Sequence, residues 1–259
     1  MTAPSLRTHP RARGFDRVAE QYERGRPGYA PAAVAFLART LRLRPGRTVV
    51  ELGSGTGKFS RALRPTGTAL VAIEPVAGMR AVFRRVVPEV AVVPGTAEAI
   101  PLPDGFADVV VAAQSFHWFR GSAAVGEIAR VLRPGGALAL VWNVRNQRFR
   151  FWRDVNRILR RYRWGSRTAG ERRWRAPFER PGSPFGPLHE RHFPHLQTLT
   201  PRGVIERVLS VSDLAMRSRK DRAAVARELR RLLATDPVLR GSRTLALPYT
   251  TEVFWTRRD

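Results

Sequence analysis

The sequence predicts an α/β fold in which a parallel sheet is covered by helices on both faces. Strand and helix patterns alternate four times between residues 48 and 142, and the strands are apolar along their whole length. Strands of this kind are typical of a parallel sheet that is buried on both sides. A glycine-rich segment adds a second signal, because it turns the chain directly from the first strand into a helix.

Two helices are expected before the sheet. Residues 15–22 have helical spacing, and a turn over 26–29 leads to Pro31, whose missing N–H is harmless at a helix start. The second helix is expected over 32–43. The predicted strands span residues 48–52, 68–73, 90–93, 107–113, 137–142, 188–199 and 244–256. The remaining helices are expected over residues 58–63, 76–87, 121–132, 152–162, 202–209 and 219–234.

Composition narrows the class of protein. A chain of 259 residues with 43% hydrophobic residues fits one α/β domain with insertions. Cysteine is absent, so disulfides and thiolate metal sites are excluded, and no metal site is predicted. No apolar run reaches about 18 residues, so we expect no membrane span and a cytoplasmic location. Residues 1–14 contain arginines but no apolar stretch, and we expect a disordered basic tail rather than a secretory signal.

The formal net charge of +25 would ordinarily suggest a nucleic-acid partner. All but two of the 46 basic residues are arginine, however, which is typical of a genome-wide coding bias. The arginines are also spread along the chain, and no RNA-binding module accompanies them. A small molecule is therefore the expected partner, with RNA methylation as the less favoured alternative. The oligomeric state is left open.

The turn after the first strand has the pattern Glu-x-Gly-x-Gly-x-Gly. Glycines at this point allow a sharp turn and let a ligand approach the backbone N–H groups of the helix start. A dinucleotide fingerprint would require its third glycine at position 58, where the chain has Lys58. The observed spacing is instead the one associated with S-adenosylmethionine sites. The turn residues predicted to bind this cofactor are Glu51, Gly53, Ser54, Gly55 and Gly57.

Residues after the second and third strands are placed to bind a nucleoside. Glu74 ends the second strand, where a carboxylate can accept hydrogen bonds from both ribose hydroxyls. Met79, one helical turn later, suits either an adenine face or the core, and the sequence leaves both interpretations open. The neighbouring residues predicted to line the cofactor are Pro75, Thr96, Ala97 and Glu98.

The fourth strand ends in Gln114-Ser115-Phe116-His117-Trp118, beside the crevice where open α/β sheets bind ligands. Gln114 and Ser115 are predicted to face the cofactor, and Phe116 and Trp118 the methyl acceptor. His117 is the candidate general base for an alcohol or phenol acceptor, whereas a carboxylate needs no base. The alternative for this histidine is a structural role.

Together these motifs resemble the class I S-adenosylmethionine-dependent methyltransferases, in particular the small-molecule branch that includes trans-aconitate methyltransferase. The resemblance runs from about residue 15 to 257 and rests on residues 15–29, 50–57, 74–79, 97–98, 114–118, 132–136 and 248–253. It implies a Rossmann-like, seven-stranded, mostly parallel sheet with an antiparallel last strand and a helical lid. It also implies that the glycines contact the methionine moiety, Glu74 the ribose, and Met79 and Ala97 the adenine. Tyr22 and Arg26 are implied near the cofactor carboxylate.

One methyltransferase domain is expected over residues 15–257, with 145–187 and 201–235 as lid segments. The first segment is rich in arginine and tryptophan and begins where the fifth strand reaches the crevice. Arginines there favour an anion, which a guanidinium can bind with two parallel hydrogen bonds. We therefore predict a small acidic or phenolic acceptor that contacts Arg145, Trp152 and Tyr249. The alternative is a protein that binds the cofactor for other chemistry, such as cyclisation, or for binding only.

Overall fold

The structure is a computed structural model that describes residues 12–162, 172–237 and 239–259. The strands are β1 (Thr48–Leu52), β2 (Ala69–Ile73), β3 (Ala91–Val93), β4 (Ala107–Ala113), β5 (Leu132–Arg145), β6 (His189–Leu199) and β7 (Leu245–Arg257). The α-helices are α1 (Ala19–Gly25), α2 (Pro31–Thr40), α3 (Lys58–Leu63), α4 (Ala77–Val86), α5 (Gly121–Val131), α6 (Arg150–Tyr162), α7 (Ala176–Glu179), α8 (Pro201–Leu209), α9 (Ser212–Ala215) and α10 (Arg219–Thr235). Within the described ranges, no helix has the length and apolarity needed to cross a membrane.

The seven strands form one sheet in the order β3-β2-β1-β4-β5-β7-β6. All neighbouring pairs are parallel except those of β7, which runs antiparallel to both β5 and β6. The predicted mostly parallel sheet with an antiparallel last strand is therefore confirmed. The strand order reverses between β1 and β4, and ligands of open α/β sheets bind at such a point, outside the carboxyl ends of the strands.

The central strands are apolar throughout because helices cover both of their faces. Side chains alternate across a strand, so Val50 packs against Ile128 of α5 in one core. Its neighbour Val49 points the other way and packs with Leu37 of α2 and Phe59 of α3. This double burial fixes the position of β1, whose carboxyl end carries the glycine turn.

A third core joins the helices of the two predicted lid segments. It contains Trp152 of α6, Val208 of α8 and Leu229 of α10, together with Leu247 at the start of β7. The lid prediction also covers 163–171, which lie outside the described residues, as do 1–11 of the predicted tail. The last three residues of that tail belong to a 3-10 helix over Ala12–Val18. The extent of the single domain stays a prediction.

β5 is longer at both ends than the predicted strand over 137–142. Leu132 already pairs with Ala107, and the register then shifts before regular pairing resumes at Ala137. The predicted turn over 133–136 is thus an irregular stretch of strand, in which Gly135 takes a φ of +68°. At the other end, pairing with β7 continues to Arg145. The β5–β7 pair therefore continues up to the start of the first lid segment at Arg145.

Candidate active site

The turn after β1 holds three glycines in the left-handed region of backbone space. Their φ angles are +64° at Gly53, +57° at Gly55 and +82° at Gly57, values that other residues rarely adopt. A Cβ on Gly53 would lie 2.6 Å from the Cβ of Ser115, and one on Gly57 would lie 2.6 Å from Cγ2 of Val87. No atom would come closer than 4.0 Å to a Cβ on Gly55. The outer glycines therefore let the turn close, and the middle one leaves its backbone approachable.

Glu74 lies at the end of β2 with its buried carboxylate beside this turn. Its two oxygens accept the backbone N–H groups of Gly55 and Val76, each at 2.8 Å. Burial raises the pKa of Glu74 to about 7, and the two hydrogen bonds oppose that rise in part. The nearby Ser54 Oγ is buried and has no hydrogen-bond partner among the described residues. Because such orphaned atoms are rare in folded proteins, the turn suits a polar ligand.

Glu51 lies on β1 beneath α3. Its carboxylate accepts a hydrogen bond from the Ser60 hydroxyl. Burial raises the pKa of Glu51 to about 8, and the nearby carboxylate of Glu74 contributes to that rise. The side chain therefore ties α3 to the strand from below, which steadies the turn between them.

Replacing Glu51 with glutamine should reduce the pH dependence of stability. The folded-state pKa of about 8 lies above the ordinary value of 4.5, so the folded protein holds this proton more tightly than the unfolded chain. The resulting stabilisation is full below pH 4.5 and is lost as pH rises through about 8. In urea titrations between about pH 5 and pH 8, we expect the unfolding free energy of the variant to fall less than that of the wild type. Equal slopes would contradict the assigned pKa.

One carboxylate fastens α1 to the helix that follows the glycine turn. Glu23 accepts hydrogen bonds from Thr56 Oγ1 at 2.5 Å and from Arg61 Nη2 at 2.6 Å. The ammonium group of Lys58 lies 3.6 Å from the same carboxylate. These contacts hold α1 against the turn and the first residues of α3.

Three aromatic rings form a chain of contacts that begins beside the turn. Tyr22 of α1 approaches Gly55, and the Phe15 ring meets Tyr22 edge to face with 5.6 Å between centroids. The same Phe15 ring meets Trp118 edge to face at 6.1 Å. Asp16 fixes this segment by accepting a backbone N–H in the first turn of α4 at 2.6 Å. Aromatic faces attract cations, so this wall suits a ligand with a positive centre.

The end of β4 is held in a strained conformation at the crevice. Gln114 has a φ of +59°, which is uncommon for a residue with a side chain. Its N–H donates to Val141 O at 2.8 Å, and its Nε2 donates to Asn143 O at 3.2 Å. Ser115 Oγ donates to Leu52 O at 2.6 Å, which ties β4 to β1. Strained backbone of this kind gathers at functional sites.

The residues predicted beside the adenine differ in exposure. Met79 and Ala97 are buried in separate hydrophobic clusters, whereas Pro75 and Thr96 are half-buried. Glu98 accepts a backbone N–H at 2.7 Å from the residue before α5. The burial of Met79 supports the core alternative that the sequence left open. Contact of any of the five with a cofactor stays a prediction.

His117 is exposed at the edge of the crevice, and its Nδ1 accepts a hydrogen bond from Trp142 Nε1 at 3.3 Å. An imidazole nitrogen that accepts belongs to a neutral ring with its proton on the other nitrogen. The lone pair on Nδ1 of His117 is therefore used by the indole N–H of Trp142. The catalytic role of His117 stays a prediction.

Two aromatic residues predicted to contact the acceptor lie in hydrophobic cores, and their contact with an acceptor stays a prediction. Phe116 is buried against Phe178, with 5.5 Å between ring centroids. Trp152 is fully buried in the lid core, where its Nε1 donates to Pro248 O at 3.1 Å. The guanidinium of Arg145 lies over the Trp152 ring, 5.4 Å from its centroid. An aromatic residue beside a crevice has the same local pattern whether its ring faces a ligand or the core.

A buried arginine beneath the lid has no signal in the sequence. Arg207 of α8 donates from Nε to Tyr249 Oη at 3.2 Å. Arg26, predicted near the cofactor carboxylate, donates to Ser210 Oγ at 3.2 Å and to Ser210 O at 3.0 Å. Burial, with a smaller contribution from Arg207, lowers the pKa of Arg26 to about 10. In so arginine-rich a chain, no local pattern distinguishes Arg207 from the exposed arginines.

The site combines three features: the strand order, the glycine turn after β1 and the acid after β2. Together they define an α/β protein suited to bind a nucleoside cofactor.

Comparison with known proteins identifies the family within this class of nucleoside-binding α/β proteins. A family described as "Methyltransferase domain" matches residues 50–140. An uncharacterized methyltransferase of Mycobacterium tuberculosis is 37% identical over 237 residues, which cover 92% of each chain. An uncharacterized methyltransferase-like protein of Schizosaccharomyces pombe is 32% identical over 239 residues, 92% of this chain and 93% of that one. The chain belongs to the methyltransferase family.

Solved structures agree on the fold. The YcgJ protein of Bacillus subtilis aligns with a TM-score of 0.58 at 18% identity, over 89% of this chain and 100% of that one. A phosphoethanolamine N-methyltransferase of Haemonchus contortus, in complex with S-adenosylhomocysteine, aligns with a TM-score of 0.54 at 16% identity, over 96% of this chain and 60% of that one. These structures support the fold alone. The narrower resemblance to the trans-aconitate branch stays a prediction.

Proposed function

We propose that this protein transfers the methyl group of S-adenosylmethionine to an oxygen of a small acidic or phenolic acceptor. The glycine turn carries the proposal, since the open backbone at Gly55 and the buried carboxylate of Glu74 lie together with the Ser54 hydroxyl, which has no partner among the described residues. A nucleoside with a charged amino-acid tail requires these groups. Membership of the methyltransferase family supports the choice of cofactor.

The residues fit this cofactor by their chemistry. Glu74 would accept hydrogen bonds from the ribose hydroxyls, because each carboxylate oxygen keeps a lone pair beside the backbone N–H that it already accepts. The turn at Gly53 and Gly55 would face the methionine moiety. The half-buried Thr96 lies in the loop after β3, and this loop would border the adenine.

The cofactor supplies an activated methyl group on a sulfonium centre. The protein must hold the acceptor oxygen in line with that group and exclude water. Phe15, Tyr22 and Trp118 form the aromatic wall that would shield the reaction and favour the positive charge. A carboxylate acceptor uses an oxygen lone pair and releases no proton, so it needs no base.

Methyl-labelled cofactor, incubated with panels of carboxylic acids, phenols and alcohols, tests the reaction. We expect labelled product from an acid, and alkali should release that label as methanol because a methyl ester is base-labile. The matched control is a panel of the corresponding amides, which should stay unlabelled. Loss of cofactor without methyl transfer would support the alternative chemistry, and labelled RNA would contradict a small-molecule acceptor.

A further inference from the structure

Two arginines, Arg207 on α8 and Arg26 just after α1, meet at Ser210. Arg207 is only 6% exposed, and Arg26 is half-buried and close enough for the charge of Arg207 to lower its pKa. Their hydrogen-bond partners, Ser210 and Tyr249, are neutral. In the described part of the chain, neither guanidinium forms an ion pair. Burying positive charge without a counter-charge is costly, so this cluster is suited to an anion.

Several donors of the cluster have no acceptor among the residues that the structure describes. A guanidinium has five N–H donors, and Arg207 uses only its Nε, towards the Tyr249 oxygen. Arg26 uses Nε and Nη2, both towards Ser210. Among the residues with described side chains, nothing accepts from the Nη groups of Arg207, from Nη1 of Arg26 or from the Tyr249 hydroxyl. Charge-assisted hydrogen bonds to a carboxylate would satisfy them.

The arginine cluster also borders a buried acceptor that has no hydrogen-bond partner within the described chain. Gln197 of β6 donates from Nε2 to Gly25 O at 2.9 Å, and its buried Oε1 has no partner within the described chain. Gly25 packs directly on the backbone of Arg207, where a Cβ would come within 2.8 Å. The cluster thus combines donors that no described residue engages with one buried acceptor that has no partner in the described chain.

The cluster lies one aromatic ring away from the glycine turn. The Arg26 guanidinium is 4.8 Å from the Tyr22 ring centroid, and the edge of the Tyr22 ring faces Gly55. A molecule anchored at Arg207 could therefore extend past Tyr22 towards the turn. A group bound at the turn itself would meet Tyr22 before it met Arg207.

We propose that Arg207, together with Tyr249 and Arg26, binds a carboxylate of the methyl acceptor and so selects anionic acceptors. The inference rests on the proposed function, because it requires an acceptor next to the cofactor turn. It transfers the role of anion contact from Arg145, which stacks on Trp152, to Arg207. It also assigns to the acceptor Arg26, which the family resemblance implied near the cofactor carboxylate. Arg207 and Tyr249 act here as binding residues that determine specificity.

Acetate is the smallest probe of this site, with acetamide as its neutral isostere. At constant ionic strength we expect acetate, and not acetamide, to raise the Tm of the wild type in a saturable manner. Arg207→Met should weaken acetate binding at least about tenfold, the loss that accompanies a charged hydrogen bond. Arg202→Met is the matched control on α8, because its side chain is 90% exposed, and it should bind acetate normally. Equal stabilisation of Arg207→Met, or by acetamide, would overturn the proposal.

Two further measurements keep the test decisive. Tyr249→Phe retains the ring and removes one donor, so it tests the site even if Arg207→Met fails to fold; unchanged acetate binding would count against the proposal. S-adenosylhomocysteine titrated with and without acetate distinguishes the two sources of a carboxylate. Independent binding supports the acceptor, whereas competition would assign the site to the cofactor and overturn the proposal. A wild type that does not bind S-adenosylhomocysteine at all would instead refute the proposed function.

Discussion

Glutamine at position 74 should weaken S-adenosylmethionine binding by about 1.5–3 kcal/mol, or roughly ten- to 150-fold, the range for hydrogen bonds to a charged group. Both carboxylate oxygens of Glu74 accept backbone N–H groups, from Gly55 and Val76. An amide nitrogen cannot accept, so Glu74→Gln places a donor against a donor and also loses a ribose contact. Calorimetry with the cofactor measures the effect.

Glu89→Gln is the matched control for this change. Glu89 lies beyond α4 and pairs with Arg64 at 2.6 Å on the exposed surface, where one ion pair contributes little. We expect the control to bind the cofactor like the wild type, within about twofold. Unchanged binding in Glu74→Gln would show that this carboxylate does not hold the ribose.

Alanine at position 53 should destabilise the fold and abolish cofactor binding together. The φ of +64° alone disfavours any side chain, by about 1–2 kcal/mol. The added Cβ would also lie 2.6 Å from that of Ser115, which is fixed by its hydrogen bond to Leu52 O. The turn or the end of β4 must then shift. Thermal unfolding and calorimetry report the two losses.

Gly46→Ala separates backbone strain from crowding. Gly46 has a φ of +83°, yet a Cβ there would meet no atom within 4 Å. The control should lose only the strain contribution and should bind the cofactor normally. If Gly53→Ala were no less stable than Gly46→Ala and bound the cofactor equally well, close packing between the turn and Ser115 would not be what shapes the site.

The β1–turn–α3 unit could be predicted from the sequence because its signals are local. A run of buried strand residues, glycines at fixed spacing and a following helical pattern lie within a dozen positions. The position of Glu74 follows from the strand pattern in the same way. The antiparallel β7 was predicted only through resemblance to a family, since its pairing with β5 and β6 joins distant parts of the chain.

The rest of the site depends on contacts between distant segments. Glu23 reaches Thr56 and Arg61 only because α1 folds back over the turn. Arg207 is buried because α8 packs on Gly25, which lies far away in sequence. Trp152 lies close in sequence to the strand end, and its ring packs in the hydrophobic lid core. Local spacing carries no information about such pairings.

Calorimetric titration of the wild-type protein with S-adenosylmethionine and, separately, with NAD tests the central claim most directly. Both ligands contain an adenosine, so a simple nucleoside pocket would accept either one. The chain has Lys58 where a dinucleotide fingerprint needs its third glycine, so the account predicts saturable binding of S-adenosylmethionine and no binding of NAD. Saturable binding of NAD, without binding of S-adenosylmethionine, would contradict the account.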